Sequence, residues 1–278
     1  MVKTYTLTTI EQAVLVAKTL RKSWFRGHNT ICNELTPAIF RDNYKTISLF
    51  RPDIEAFFID GFRRGAPVLE KNLPEWGDYI EWLFLMQHHG APTRLLDWTK
   101  NALIALYFAV SDGKSNDGEL WAMYPNELNL RSKIDGIPIL DSPVVQYLAE
   151  EPMLNDDGKR TRASDLLGMI KGPDYPVAIQ PTMNFPRMIS QFSVFTIHPE
   201  PCAGGTITEL LLDEKHLVRY IIPKKCKESI LKNLPSLGIT RGALYQDLDS
   251  LCFDLEQEAN VCAYSPPEPP ACNGNYEA

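Results

Sequence analysis

The segment that most constrains this chain is QHHGAPTRLLDWTKNALIALYFA, from Gln87 to Ala109. Its second half is a helical run with no polar face, and such a helix has to be buried. Ala102, Ala105 and Ala109 give it a narrow side that can pack close to a sheet. Ahead of it TRLLDW reads as a short strand, and Thr99 is placed to cap the helix. Gly90 and Pro92 stop the aromatic-rich, histidine-bearing helix that comes before. One charge, Asp97, stands between leucine and tryptophan. A buried carboxylate has to be paired or hydrogen-bonded, and Arg94 and Arg26 are its candidate partners.

Around this unit the pattern mixes helices and strands. TTIEQAVLVAKTL reads as a helix capped by Thr8 or Thr9, with Glu11 or Gln12 in capping-box position. SWFRGH reads as a strand with Trp24 and Arg26 on one face and Phe25 on the other. RPDIEAFFIDGFRRG and Glu75 to His88 read as helices, with Pro67 and Pro74 marking the loop between them. ELWAMYP is a strand closed by Pro125. In the polar stretch from Asn126 to Asp174, SPVVQYLAE and ASDLLGM read as short helices. SQFSVFTIHP alternates as a strand, with Phe192, Val194 and Thr196 on one face and Gln191, Ser193, Phe195 and Ile197 on the other. HLVRYIIP is a further strand, KESILKNLPSLGI a helix with its exit turn, and LDSLCFDLEQEA a last helix. The expected architecture is α+β. One domain covers 1–263, with a largely helical N-terminal half and a split β-sheet core. A proline-rich tail, 264–278, is expected to be disordered or to dock elsewhere.

The net charge of −7 over 278 residues argues against a passive nucleic-acid coat. Local basic patches remain at RKSWFR, FRRG and PKKCK, although each reads first as solvated surface. No apolar run reaches the roughly 18 residues of a membrane span. The start, MVKTYTLTTIEQ, lacks the apolar core of a signal segment, so a cytoplasmic protein without a membrane partner is expected. The six cysteines form no C-x-x-C pair and read as reduced thiols, so no metal site is expected. The chain has no G-x-G-x-x-G and no phosphate-loop motif, which argues against a Rossmann dehydrogenase or a P-loop ATPase.

Three islands carry candidate chemistry. In WFRGH, the planar fork of Arg26 suits a pyrophosphate. Gly27 would let a ligand approach the backbone, and His28 follows directly. The bland reading is an arginine paired to a structural carboxylate. In the second island Asp97 is either a site carboxylate or a helix-entry residue. His88 and His89 are adjacent, about 100° apart on a helix, and do not easily form a metal pair. In the third, RMISQFSVFTIHP, Gln191 opens an apolar strand, either to hold a ribose hydroxyl or as a strand-edge residue.

In this order the islands resemble the FRG domain, a family named for the triplet that here is Phe25-Arg26-Gly27. The central block is similar to that family's most recognisable segment. RMISQFSVFTIH and GITRGALYQDLDSLCFDL resemble its downstream blocks, so the resemblance runs from near Tyr5 to near Leu255. The block order also resembles that of ADP-ribosyltransferases. In those enzymes a first strand carries Arg or His. A second carries Ser-Thr-Ser or a Tyr ahead of a helix of the form Asn-Pro-x-x-Ala-x-x-Phe-Ala, and a later strand carries Glu or Gln. Arg26, the strand Leu96-Asp97-Trp98-Thr99 with its helix, and Gln191 stand at the matching places.

The resemblance implies an ADP-ribosyltransferase-like fold and an enzyme with NAD as co-substrate. It would be a toxin or phage-defence effector acting on RNA or protein, with an antitoxin or other neutralising protein as partner. Arg26, Asp97 and Gln191 are the implied catalytic residues. The implied NAD contacts are Arg26, Gly27, His28, His88, Arg94 and Thr99, with Trp98, Tyr107 or Phe192 for stacking. Two departures stand out. Asp-Trp-Thr replaces Ser-Thr-Ser, and Gln191 stands where most active transferases have Glu, although a neutral amide stabilises a cation less than a carboxylate does. RKSWFRGH is a candidate for holding nucleic acid by phosphate pairing and base stacking. The alternative is a non-catalytic nucleotide- or partner-binding module whose central block is core packing. A nuclease is disfavoured, since Asp247 and Asp249 read as surface or helix-entry residues.

Overall fold

A computed structural model describes residues 2–32, 35–41, 54–112, 115–150, 153–154, 160–161, 173, 175–199, 206–211 and 216–261. The ASDLLGM segment and the tail 264–278 lie outside the described residues. The strands are β1 (Lys3–Thr6), β2 (Trp24–His28), β3 (Leu95–Thr99), β4 (Gly118–Met123), β5 (Met153–Leu154), β6 (Arg160–Thr161), β7 (Val177–Ile179), β8 (Ser193–Ile197) and β9 (Leu217–Ile222). The helices are α1 (Ile10–Thr19), α2 (Ile54–Leu69), α3 (Tyr79–His88), α4 (Ala102–Val110), α5 (Pro125–Arg131), α6 (Pro143–Ala149), α7 (Pro186–Ser190), α8 (Ile207–Leu210), α9 (Lys224–Asn233), α10 (Arg241–Tyr245) and α11 (Leu248–Val261).

Seven strands form one open sheet in the order β1-β9-β4-β2-β3-β8-β7, and β5 and β6 form a separate pair. Only β1 and β9 run parallel within the large sheet. The apolar helix α4 lies against β2 and β4, where Phe25, Leu120 and Ala122 meet Ala105, Ala109 and Val110. This contact is unusually close. A Cβ on Gly27 would stand 1.8 Å from the Ala105 carbonyl oxygen, and one on Gly118 would stand 2.4 Å from that of Ala109. Gly27 is therefore needed for helix-on-sheet packing, a role the sequence reading did not give it, and it also lines the cleft described below. The opposite face buries Trp24, Leu96, Trp98, Trp121, Met123 and Val194. Leu95, Phe195 and Ile197 pack against Phe84 of α3 and Leu148 of α6.

The sheet is continuous, which corrects the expected split, but it is weakly joined in one place. β2 pairs with β3 at the single position Phe25–Thr99. By contrast β2 meets β4 at five positions, and β3 meets β8 at five. Beyond Phe25 the two strands part, and this opening positions the site. The described part of the N-terminal half has more helix than strand, as expected, yet it also supplies β1 to β4, four of the seven strands. The sequence hid β1 because all four of its residues are exposed and carry no apolar alternation. Parallel pairing with β9 and stacking of Tyr5 on Tyr220 hold it in place.

Several boundaries move for local reasons. Thr9 caps α1 by accepting the Gln12 amide, and the Gln12 side chain accepts the Thr8 amide at 2.8 Å. Helix α2 runs through Pro67 to Leu69, because a proline in the last turn removes a single backbone donor. Helix α3 begins at Tyr79 and not at Glu75, and Gly90 ends it with φ +81°. Asn101, not Thr99, caps α4 by accepting the Leu103 amide. Pro125 opens α5 instead of merely closing β4. Gln191 is not on a strand. It is the C-cap of α7, Phe192 turns the chain with φ +49°, and β8 starts at Ser193. No helix among the described residues is long and apolar enough to cross a membrane.

Glycine positions give opposite expectations. Gly27→Ala should destabilise by about 3 kcal/mol or more, since helix and sheet must separate. Gly61→Ala, on α2 with nothing within 4 Å of the added carbon, should stabilise by roughly 0.5–1 kcal/mol. Urea unfolding of the two variants beside wild type checks both signs.

Candidate functional site

The opening between β2 and β3 continues into a cleft of about 500 Å³, a size suited to a small-molecule ligand. Arg26, Gly27 and His28 come from β2, Asp97 and Thr99 from β3, Gln87 and His88 from α3. Arg187 and Gln191 reach it from α7, and Tyr245 from α10.

Arg26 is locked by its neighbours. Its Nη1 donates to the Asp97 main-chain oxygen at 2.6 Å and lies 3.8 Å from Asp97 Oδ2. Its Nε donates to His28 Nε2 at 2.7 Å. That nitrogen accepts, so the imidazole proton sits on Nδ1 and is donated to Glu119 Oε1 at 2.9 Å. Glu119, on β4 and fully buried, also accepts the Cys32 amide at 3.0 Å and Arg219 Nε at 2.8 Å. Burial, and then the Arg26 charge, hold His28 below its ordinary value. Burial would raise Glu119, but the His28 hydrogen bond and its other donors outweigh it, and the carboxyl lies below the usual range. Burial also lowers Arg26, opposed by Asp97, yet an arginine starts so high that it stays a cation.

Asp97 has a second anchor, Gln87 Nε2 donating to Oδ2 at 2.7 Å. Gln87 is held in turn by the Thr93 hydroxyl. The Asp97 side chain is 54% exposed, which corrects the picture of a carboxylate buried between leucine and tryptophan. Strand alternation sends those neighbours into the core and Asp97 into the opening. Thr99 ties the second island to the third, donating to the Gln191 carbonyl at 2.6 Å. The Gln191 amide donates to Leu244 O at 3.2 Å, and the Ser190 hydroxyl donates to the same oxygen at 2.9 Å. His88 stacks on Phe185, centroids 4.8 Å apart and planes 9° from parallel.

Four expected contacts fall elsewhere. Arg94 is buried and paired to Glu55 of α2, with Nε at 2.8 Å from Oε1 and Nη1 donating to Leu148 O. It is a structural ion pair, not a cleft residue. Trp98 points to the opposite face of the sheet, where its indole donates to Thr196 Oγ1 at 3.2 Å. Tyr107 is buried among α4's apolar neighbours, which pushes its hydroxyl up to about 12. Phe192 sits on the turn before β8 and is exposed. None of these four lines the cleft. The RKSWFRGH segment cannot stack bases, because Trp24 and Phe25 are both buried. FRRG loses Arg63 to a cage of Trp76, Tyr79 and Trp82, and PKKCK loses Lys227 to the interior.

Sequence reading missed Gln87, Glu119, Arg41, Arg187 and Tyr245. Glu119 left a faint signal, a carboxylate opening the apolar run of β4. The others carried none, since a lone glutamine, arginine or tyrosine near a helix end looks like surface. Asp247 accepts the Ser250 amide at 2.7 Å as α11 begins, a helix-entry role as expected. Among the described residues no group of three or more His, Cys, Asp or Glu is placed to hold a metal ion.

Buried His198 extends the electrostatics behind the sheet. Thr196 Oγ1 accepts from Trp98 and lies 3.0 Å from His198 Nε2, so its own proton serves a neutral imidazole. Burial, and then Arg26, push His198 down to about 3. His28 and His198 thus have folded pKa values below their unfolded ones. The unfolded chain takes up protons that the folded one does not, and stability is lost as pH falls below about 6.5. His198, pushed far down, contributes a slope of about 1.4 kcal/mol per pH unit below that point, and His28 acts in the same direction. Urea unfolding between about pH 7.5 and about pH 5 should show this loss, and His198→Asn should make it shallower.

No curated protein and no solved structure matches the chain significantly. A model of the FRG domain family matches residues 21–118. That span contains β2, β3 and α4, and with them Arg26, His28, Gln87 and Asp97, while Gln191 and Glu119 lie beyond it. Residues 21–118 are therefore similar to the FRG domain, and this matched segment builds one wall of the cleft.

Proposed function

We propose that this protein is an NAD-dependent ADP-ribosyltransferase, acting as a toxin or phage-defence effector on a macromolecular acceptor, RNA or protein. The observation that carries the reading is convergence. Arg26, Asp97 and Gln191 are far apart in sequence, come from three different elements, and line one cleft. Gly27, His28, His88 and Thr99 line it too.

The chemistry asks for few groups. Cleavage of the nicotinamide–ribose bond passes through an oxocarbenium-like centre, as glycoside cleavage does. The Asp97 carboxylate would stabilise that charge, and the Gln191 amide would orient a ribose hydroxyl. Arg26, Arg41 and Arg187 are the cleft's cations for a pyrophosphate. With Nε and Nη1 held by His28 and Asp97, the Arg26 fork is preorganised. His88 with Phe185, and Tyr245, offer flat surfaces for nicotinamide or adenine. An antitoxin-like partner would restrain such an enzyme.

One observation favours a binding module instead. The Gln191 amide and two donors of Arg26 are already engaged by protein acceptors, and the third position is not a carboxylate. Label transfer separates the two readings. Wild type, Asp97→Asn and Gln191→Ala are incubated with labelled NAD plus cell RNA or cell protein. Transfer by wild type should fall about 100-fold or more in each variant, at an unchanged unfolding midpoint. A folded wild type that neither transfers label nor releases nicotinamide with either fraction would sink the enzyme reading.

A further inference from the structure

Helix α11 leaves its most apolar side in solvent. Its inner side is polar where it meets the body. Ser250 is buried and accepts Arg241 Nε at 3.3 Å, and Asp254 accepts the amides of Arg241 at 3.2 Å and Gly242 at 2.6 Å. Phe253 lies under the Arg241 guanidinium at 5.1 Å. At about 100° per residue, Leu248, Leu251, Cys252, Leu255 and Ala259 form a stripe within an arc of roughly 100°, flanking the inner side with Leu251 at the edge nearest α10. The three leucines are 79%, 49% and 55% exposed. Single exposed leucines are ordinary, but an aligned stripe along one helix marks a contact surface. Carboxylates edge it on both sides, Asp249 and Glu256 on one and Glu258 on the other, and the helix has no Lys or Arg.

The geometry points to α11 as the docking face for a partner protein's amphipathic helix, one whose leucine stripe is flanked by lysine or arginine. Charged residues beside an apolar seam select the partner and reject like-charged alternatives. A second copy of α11 would set acidic edges against acidic edges. The chain's own terminal segment, SPPEPPACNGNYEA, has two glutamates, no Lys or Arg, and four prolines that cannot continue a helix. A basic helix meets both the apolar stripe and its edges. The inference does not depend on the chemistry proposed for the cleft. The face is nevertheless close to it, because Asp254 holds α10, and Leu244 of α10 accepts the Gln191 amide.

The probe is a fluorescein-labelled peptide of about three heptads, with leucine along one seam and lysine at the flanking positions. Its counterpart carries glutamate at those flanks. Anisotropy titration uses the full-length chain and the double variant Leu251→Glu/Leu255→Glu, whose exposed positions should leave the unfolding midpoint unchanged. The lysine peptide should bind wild type about tenfold or more tighter than the glutamate peptide does, and about tenfold or more tighter than it binds the double variant. The variant adds negative charge, so a purely electrostatic attachment would strengthen there, and that outcome overturns the proposal. Equal binding of the two peptides, or no binding, also overturns it. So does a wild-type dimer, read by sedimentation, that the double variant abolishes, since it makes a second copy the occupant.

Discussion

The close approach of α4 to the sheet governs the rest of this structure. Ala105 and Ala109 bring the helix backbone within reach of β2 and β4, and Gly27 and Gly118 leave no side chain in the way. A helix seated this deeply fixes its own start, with Asn101 as cap and Thr99 just before it at the end of β3. Thr99 is also the only residue of β3 paired with β2. The helix, the β2–β3 junction and the mouth of the cleft are therefore set by the same few residues.

The second organising feature is a chain of polar groups leading from the interior to solvent. Glu119 is a fully buried carboxylate and needs donors on each oxygen. It takes them from Arg219, the Cys32 amide and His28. Because His28 gives its proton to Glu119, its other nitrogen accepts from Arg26, and Arg26 closes the line on Asp97. Each link fixes the geometry of the next. An arginine at the bottom of a cleft is held still by acceptors behind it, which is the preorganisation an anion site requires.

The same sequence block supplies two arginine–carboxylate arrangements with opposite fates. Arg94 and Glu55 are both buried and join α2 to β3, with Leu148 of α6 as a further acceptor. Such a pair specifies which elements meet more than it adds stability. Arg26 and Asp97 are farther apart, and the carboxylate is open to solvent. Residue type does not distinguish the two cases. What separates them is that β3 is covered by α2 and α6 near Arg94, while at Asp97 the neighbouring strand has turned away.

Much was legible from the chain alone because it rests on local periodicity. Trp24 and Phe25 take opposite faces, α4 is buried, and Leu95–Thr99 is a strand, all as alternation and helical spacing require. Arg26, Asp97 and Gln191 share a cleft, which the resemblance suggested and spacing could not. The misreadings have different sources. By resemblance Trp98 is a stacking surface and Arg94 a ligand contact, but one-residue alternation and an ion pair from a helix 39 residues earlier bury them. Gln191 seemed to open a strand because SQFSVFTI alternates, yet Pro186 starts a helical turn that ends there. The sequence by itself determined most of the elements and, within them, the side each residue faces, because those depend on bonds a few residues long. Only the tertiary structure decided that β2 and β3 touch once and then diverge, because strand pairing is made between distant segments, and that divergence is the cleft.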